Sequence, residues 1–160
     1  MIPIQNIYYM LSYAFQVLNE QGYKSVATEH FENVADLCAA ILIKGLSKQL
    51  KRGLMKDYIP KREPLTALRG KMEISETLKT NSIIKRQVVC SYDEFSENAY
   101  MNRIIKTTML RLMVADVDKS RKKEMKKLLV FLGNVEPLPI YSINWNLRYD
   151  RNNQTYRMLV

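Results

Sequence analysis

The chain has 160 residues, 47% of them hydrophobic, so it can bury a core and is not a disordered tail. Lys and Arg number 25 against 16 Asp and Glu, and the formal charge of +9 favours an acidic partner, most often nucleic acid. Cys38 and Cys90 lie in apolar runs without metal-ligand spacing, which predicts reduced core residues. With no recognisable signal peptide or membrane span, we expect a cytoplasmic protein.

Two amphipathic helices are predicted in the first third of the chain. Apolar residues recur at helical spacing from Ile4 to Asn19, and Gly22 can supply the stop. Thr28 is the expected N-cap of a second, longer helix that ends near Gly53.

The middle of the chain changes character. Pro60, Pro64 and Gly70 break any helix between residues 55 and 71, which predicts a strand or a projecting loop. A brief helix fits residues 75–80, and the β-branched content of residues 86–92 indicates a strand. Together these segments predict a small β element inserted among helices.

Two further helices are predicted after the β element. Ser96 is expected to cap a helix over residues 97–114, and Asp118 to cap another that ends before Gly133. The inward faces are expected to comprise Met101, Ile104, Ile105, Thr108 and Leu112 in the first, and Met125, Leu128, Leu129 and Leu132 in the second.

The fold class expected from these elements is mainly α, with a small β component. We assign residues 1–140 to a helical docking or regulatory domain, with the β insertion near residues 55–92. The apolar ending over residues 154–160 carries no stop signal, so residues 141–160 are expected to begin a connection to a C-terminal domain outside this chain.

Catalytic patterns are weak in this sequence. No glycine-rich phosphate loop is present, and His30, the single histidine, is expected to be a solvated residue at a helix start. Glu124-Met-Lys126 has the Glu-x-Lys spacing of metal-dependent nucleases, but it lies in a segment of helical periodicity and is interpreted as a solvated helix face. No catalytic or metal-binding residue is therefore assigned, and no cofactor is expected in this chain.

Two basic clusters are the better candidates for binding. Lys44, Lys48 and Lys51 are four and three residues apart and so share one helix face. The candidate phosphate-binding residues are these three together with Lys122, Lys123 and Lys126 of the second cluster, which spans residues 119–127. Simple solubilising charge is the alternative for both clusters.

Three tyrosines in the first predicted helix admit two interpretations. Tyr8, Tyr9 and Tyr13 could stack on bases, but tyrosines at helical spacing are more often half-buried core residues with a hydroxyl at the rim. We predict the second arrangement.

Four stretches of the sequence resemble a known family. They are Ile2-Pro-Ile-Gln-Asn-Ile-Tyr-Tyr-Met-Leu-Ser-Tyr-Ala14, Lys51-Arg-Gly-Leu54 with Asp57-Tyr58, Leu68-Arg-Gly-Lys71, and Asn102-Arg-Ile-Ile-Lys-Thr-Thr108. In this order they resemble the N-terminal half of the McrC subunits of McrBC-type, modification-dependent restriction systems. The resemblance covers nearly the whole chain.

The resemblance implies a division of labour. In that family the C-terminal half carries a PD-(D/E)xK nuclease that uses Mg²⁺, while the N-terminal half docks on and stimulates a hexameric AAA+ GTPase. The GTP is bound by that partner, which also recognises 5-methylcytosine. This chain matches the docking half, so on its own it is expected not to be an enzyme. A stand-alone basic nucleic-acid-binding module is the alternative function.

The same resemblance implies a partner-binding segment over residues 58–71. Its candidate contacts to acidic surfaces or phosphate are Arg52, Lys61, Arg62, Arg69 and Lys71. In the alternative arrangement, Arg69 and Lys71 brace the β element against Asp93 or Glu94.

Overall fold

The computed structural model describes residues 3–15, 18, 23–151 and 153–160. The chain divides into two compact units: a helical unit of Met1–Met55 with Tyr100–Val160, and a β unit of Lys56–Ala99. A mainly α fold with a small antiparallel sheet agrees with the predicted class. Within the described ranges, no helix is long and apolar enough to cross a membrane.

The elements of the helical unit are given first. They are α1 (Ile4–Ala14), α2 (Lys24–Thr28), α3 (Val34–Arg52), α5 (Tyr100–Val114), α6 (Lys119–Phe131), a 3₁₀ turn (Ile140–Ser142) and α7 (Gln154–Leu159). The β unit contains β1 (Asp57–Leu65), β2 (Lys71–Met72), α4 (Ile74–Lys79), a 3₁₀ turn (Ser82–Lys85) and β3 (Val88–Ser96).

Helix starts are set by side chains that accept from free backbone N–H groups. The side chain of Asp118 accepts from the Ser120 N–H at 2.8 Å, so the predicted cap of α6 is confirmed. The predicted cap Thr28 is wrong, because Asn33 accepts from the Asp36 N–H and α3 begins after it.

The predicted cap Ser96 is also wrong. It is the last residue of β3, paired with Asp57, and α5 begins only at Tyr100.

Helix ends follow the sequence more closely at α3 than at α1. Gly53 adopts φ +96° directly after α3, as expected for its C-terminal glycine. The first helix is shorter than predicted, since Phe15 is already extended. The predicted end at Asn19 and the stop at Gly22 lie outside the described residues.

Two hydrophobic clusters form the core of the helical unit. The larger lies among α3, α5, α6 and α7, and its fully buried members include Leu46, Ile105, Met109, Met125 and Leu132. The smaller lies between α1, α2 and α3 and includes Tyr8, Val26 and Leu37.

The inward faces of α5 and α6 are partly as predicted. Met101, Ile104 and Ile105 of α5 are buried, but Met109 completes that face, while Thr108 and Leu112 are only half-buried.

The C-terminal segment packs as part of the helical unit, although the sequence suggested a connection. Tyr156 and Leu159 of α7 are buried in the larger cluster. The Tyr156 hydroxyl donates to Asn102 Oδ1 at 2.7 Å and accepts from the Met55 N–H at 2.9 Å. Helix α7 thereby joins both parts of the chain that make this unit.

The β unit is organised around its central strand. The order is β1-β3-β2, and β3 is antiparallel to both neighbours, with Asp57 opposite Ser96 and Leu65 opposite Val88. Pro60 and Pro64 lie on the edge strand β1. They are four residues apart, so their backbone nitrogens point to the same side of the strand. That is the side away from β3, where no hydrogen bond is lost. The segment between residues 55 and 71, predicted as a strand or a projecting loop, thus contains a nine-residue strand.

Candidate functional site

The first resemblance motif buries one tyrosine and exposes two. The Tyr8 hydroxyl donates to the Tyr23 carbonyl oxygen at 3.2 Å, and burial is the main cause that raises its pKa. In contrast, Tyr9 and Tyr13 are 61% and 93% exposed, so the prediction that all three are half-buried is wrong for these two.

The polar side chains of the motif that begins at Asn102 make hydrogen bonds within the helical unit. The Lys106 ammonium donates to the carbonyl oxygens of Leu132 and Val135 at 2.9 and 2.6 Å, where α6 ends. Asn102 also donates to the Met55 carbonyl oxygen at 2.8 Å. These polar side chains hold the helical unit together, which accounts for their occurrence without any binding role.

One face of the β1–β3 pair carries charged side chains in diagonal contact. Lys61 forms an ion pair with Glu94, and that hydrogen bond is the main cause raising the Lys61 pKa. The Tyr92 hydroxyl donates to Glu63 on the neighbouring strand, and this hydrogen bond raises the tyrosine pKa. Because few apolar groups are buried here, these contacts help to fix the strand register.

A single carboxylate organises the opposite edge of the β unit. Glu73 accepts from Ser91 Oγ at 3.0 Å and lies 3.3 Å from Arg62 and 3.7 Å from Lys71. The Ser91 hydrogen bond, followed by the charge of Lys71, lowers the Glu73 pKa. Two of the five candidate partner-binding cations thus share one carboxylate within the β unit.

The Leu68-Arg-Gly-Lys71 motif forms the crossover from β1 to β2. The Arg69 guanidinium lies over the Tyr92 ring, 4.0 Å from its centroid. Gly70 has φ +68°, and a Cβ there would be 2.4 Å from the Ser91 carbonyl oxygen. This close approach to β3 requires glycine, so part of the motif is explained by the path of the chain.

Four of the five candidate partner-binding residues belong to the β unit and one to the helical unit. Lys61, Arg62 and Lys71 are in ion pairs within the β unit, and Arg69 stacks on Tyr92. Arg52 belongs to the helical unit, in the last turn of α3. The bracing alternative holds in part. Lys71 pairs with Glu73, whereas Arg69 stacks on Tyr92. After the hydrogen bond from Lys61, the charge of Arg69 also helps to lower the pKa of Glu94.

The β unit instead exposes apolar side chains that the sequence analysis missed. The Tyr58 and Phe95 rings pack together with centroids 5.0 Å apart, yet Tyr58 remains 68% exposed. Leu68, in the crossover, is 72% exposed. Further exposed apolar residues come from β2, α4 and the turn after it: Met72, Ile74, Leu78, Ile83 and Ile84. The signal was available, because a 44-residue unit cannot bury so many apolar residues.

A second candidate surface is a basic cleft of about 480 Å³ in the helical unit. Lys44, Ser47, Lys48 and Lys51 of α3 line one side and Glu124 of α6 the other, with Tyr23 and Ile43 at its floor. The Lys48 ammonium lies 5.9 Å from the centroid of the Tyr23 ring. The three predicted α3 lysines are therefore brought together.

The α6 lysines are divided between two faces of that helix. Lys122 and Lys126 are each two positions from Glu124 and so lie about 160° around the helix from the cleft. Lys123 is exposed beside Glu124. Arg121, counted with this cluster in the sequence, is mostly buried and donates to Asp36 at 2.6 Å and Glu29 at 2.9 Å.

The residues considered as catalytic candidates, Glu124, Lys126 and His30, are not arranged as a catalytic site would require. Glu124 and Lys126 would share a face on a strand, but on α6 they point in different directions. His30 is exposed, and it lies between α2 and α3 where the sequence suggested a helix start. Within the described part of the chain, no three His, Cys, Asp or Glu residues cluster as metal ligands would.

An apolar pocket of about 200 Å³ lies among α1, α3, α5 and α7. Cys38 lines it as an exposed residue, so its predicted core position is wrong, whereas Cys90 is buried as predicted. Desolvation raises the pKa of the Cys38 thiol.

The family model described as McrBC 5-methylcytosine restriction system component matches residues 4–160. The chain belongs to this family. A relative from Escherichia coli (strain K12), the type IV methyl-directed restriction enzyme EcoKMcrBC, is 27% identical over 161 residues, or 99% of this chain and 46% of the relative. This McrBC family chain therefore spans about half the length of the curated relative that it matches.

Two solved structures share the fold of this McrBC family chain. One is the Thermococcus gammatolerans McrBC complex, with a TM-score of 0.66, 17% identity, and coverage of 98% of this chain and 49% of that one. The other is a half-complex of Thermococcus gammatolerans McrB AAA+ hexamers with bound McrC, with a TM-score of 0.65, 14% identity, and coverage of 98% and 40%. The similarity includes the β unit, because it covers nearly the whole chain.

Proposed function

We propose that this chain is the docking and regulatory part of an McrC-like restriction subunit. In this proposal it binds an AAA+ GTPase ring, stimulates GTP hydrolysis there, and couples the ring to a nuclease in the other half of its parent protein. The observation that supports it is the match over 98% of the chain to one component of assemblies described as McrBC and as McrB hexamers with bound McrC. Membership of the McrBC family supports the same role.

The β unit is the part of the chain that we propose to enter the partner. Its ion pairs and the Arg69–Tyr92 stack fix the strands and the crossover, so little conformational entropy is lost on docking. Its exposed Tyr58 and Leu68 provide the rigid aromatic and aliphatic contacts that dominate protein interfaces. Lys61, Arg62, Arg69 and Lys71, all in the β unit, then supply charge around those contacts.

Stimulation requires more than binding. A ligand shifts a motor between two arrangements only if it binds one of them better than the other. A pre-formed β unit that fits the active arrangement of the ring alone would meet this condition.

The test uses this chain and its cognate ring. We expect the chain to bind the ring and to raise its GTPase rate. Leu68→Ser should weaken both, because it removes an apolar contact from the proposed interface. The fold should survive this change, since the exposed Leu68 has little internal packing to lose. Arg69→Ala with Lys71→Ala should also weaken them, since each charge-assisted hydrogen bond removed from an interface costs about 1.5–3 kcal/mol. The readouts are sedimentation of the complex and the GTPase rate as a function of chain concentration.

Lys79→Ala is the matched control. Lys79 is an exposed cation of the same unit whose partner is Glu76 of its own helix, and it should leave stimulation unchanged. Thermal unfolding of each variant shows whether the fold is intact. Failure of the folded parent chain to bind the ring would contradict docking, and unchanged stimulation by the folded variants would remove those residues from the interface.

A further inference from the structure

We propose that the basic cleft between α3 and α6 binds the phosphodiester backbone of duplex DNA. This site lies in the helical unit, and it does not depend on docking of the β unit to a ring. DNA is chosen among polyanions because the family is described by 5-methylcytosine restriction, which acts on a DNA base.

The spacing of the α3 lysines fits a sugar–phosphate strand. Lys44, Lys48 and Lys51 lie on one face and span about 10 Å along the helix axis. Three ammonium groups on flexible side chains over this length can contact neighbouring phosphates of one strand. Ser47 lies in the same row and offers a hydroxyl donor between the first two cations.

The charges of Lys44 and Lys51 are available to a ligand. Among the residues that the structure describes, no carboxylate lies within 4 Å of the ammonium groups of Lys44 and Lys51, although Glu124 lines the opposite wall. The basic residues of the β unit are different, because Lys61 pairs with Glu94, and Arg62 and Lys71 share Glu73.

The composition of the cleft indicates binding without sequence selection. None of its described lining residues is an Arg, Asn or Gln, which leaves lysine, serine and one glutamate as the side chains that could reach a base edge. Lysine contacts to phosphate fix position and carry no sequence information. Methylated and unmethylated duplexes should therefore bind this cleft equally.

The experiment measures the anisotropy of a labelled 30-base-pair DNA duplex titrated with the 160-residue chain at several salt concentrations. With three phosphate contacts, the Kd should rise about 40-fold between 50 and 200 mM salt. The variant K44Q/K48Q/K51Q should lose most of that dependence, each lysine reducing the logarithmic slope by about 1. Glu124→Gln should tighten binding about two- to threefold by removing a nearby negative charge.

The control variant K85Q/R111Q/R157Q removes the same net charge from exposed positions outside the cleft. Unfolding curves for both triple variants confirm that each is folded. Equal loss of affinity and slope in the two would overturn the proposal, since only net charge would then matter. Tighter binding of poly-glutamate or of duplex RNA than of DNA by the parent chain would also overturn it.

Discussion

At the scale of single residues, Lys106 shows how a charged side chain can be structural. The helical spacing of α5 places it beside Ile105 and off the inward face, which is typical of a solvated lysine. In the structure its ammonium bonds two carbonyl oxygens beyond the end of α6. A cation at that position satisfies free carbonyl groups and interacts favourably with the negative end of the helix dipole.

Lys106→Ala should therefore lower the free energy of unfolding by about 1.5–3 kcal/mol, the usual size of hydrogen bonds to a charged group. Ile105→Ala should cost about 2–5 kcal/mol, because a fully buried side chain leaves a cavity. Urea denaturation followed by circular dichroism measures both.

Lys123→Ala is the reference for these two variants, since Lys123 is exposed on α6 and should change stability by less than about 0.5 kcal/mol. If Lys106→Ala matched that reference, the contacts of the ammonium would contribute nothing.

At the scale of elements, the crossover between β1 and β2 depends on one glycine. The two strands lie on opposite sides of β3, so residues 66–70 must pass across the central strand. Gly70 makes this possible in two ways. It adopts a positive φ, and it has no side chain to occupy the space next to the Ser91 carbonyl oxygen.

Gly70→Ala should destabilise the β unit by about 1–3 kcal/mol from backbone strain, and by more if the clash with the Ser91 carbonyl oxygen cannot relax. Hydrogen exchange offers a local readout, because the Glu73 N–H is bonded to the Val89 carbonyl oxygen directly after the crossover. That amide should exchange faster in the variant.

Thr66→Ala, in the same exposed crossover, should leave the Glu73 amide protected. Equal exchange in the two variants would show that the close approach of Gly70 to β3 is not needed.

The elements also show what the sequence could and could not predict. The cap Asp118 and the stop Gly53 act on their own neighbours in the chain, so local patterns were sufficient for them. Asn33 displaced the predicted cap Thr28, and its amide also donates to the Asp116 carbonyl oxygen at 2.8 Å, a contact 83 residues away. Ser96 pairs with Asp57 in the sheet instead of capping a helix. Such long-range partners cannot be read from local spacing.

The candidate site was predictable to a similar degree. The row of Lys44, Lys48 and Lys51 follows from helical periodicity alone, and the structure retains it. The pairing of Lys61 with Glu94 and of Lys71 with Glu73 depends on strand register, which local spacing does not determine. The exposure of Tyr58 and Leu68 was missed for another reason, since the small size of the β unit already limits how many apolar residues it can bury.

At the scale of the whole molecule, the cations behind the net charge of +9 differ in whether a carboxylate pairs with them. In the β unit, Lys61 pairs with Glu94, and Arg62 and Lys71 share Glu73, while in the helical unit Arg121 pairs with both Asp36 and Glu29. The surplus remains mainly on the exposed faces of α3 and α6. An apolar docking surface in one unit and a cationic surface in the other would let one chain contact a protein ring and DNA separately.

Binding DNA does not imply cutting it, and we expect the isolated chain to show no Mg²⁺-dependent nicking of supercoiled plasmid, methylated or not. Glu-x-Lys chemistry needs both side chains on one face beside a second carboxylate, as a strand provides. Here Glu124 and Lys126 lie on different faces of α6, and Glu124 faces the lysines of the cleft. Agarose electrophoresis after incubation with Mg²⁺ measures the outcome, with Glu124→Ala as the paired variant. Nicking by the parent chain that disappears in Glu124→Ala would place a metal-dependent site at α6 and contradict this assignment.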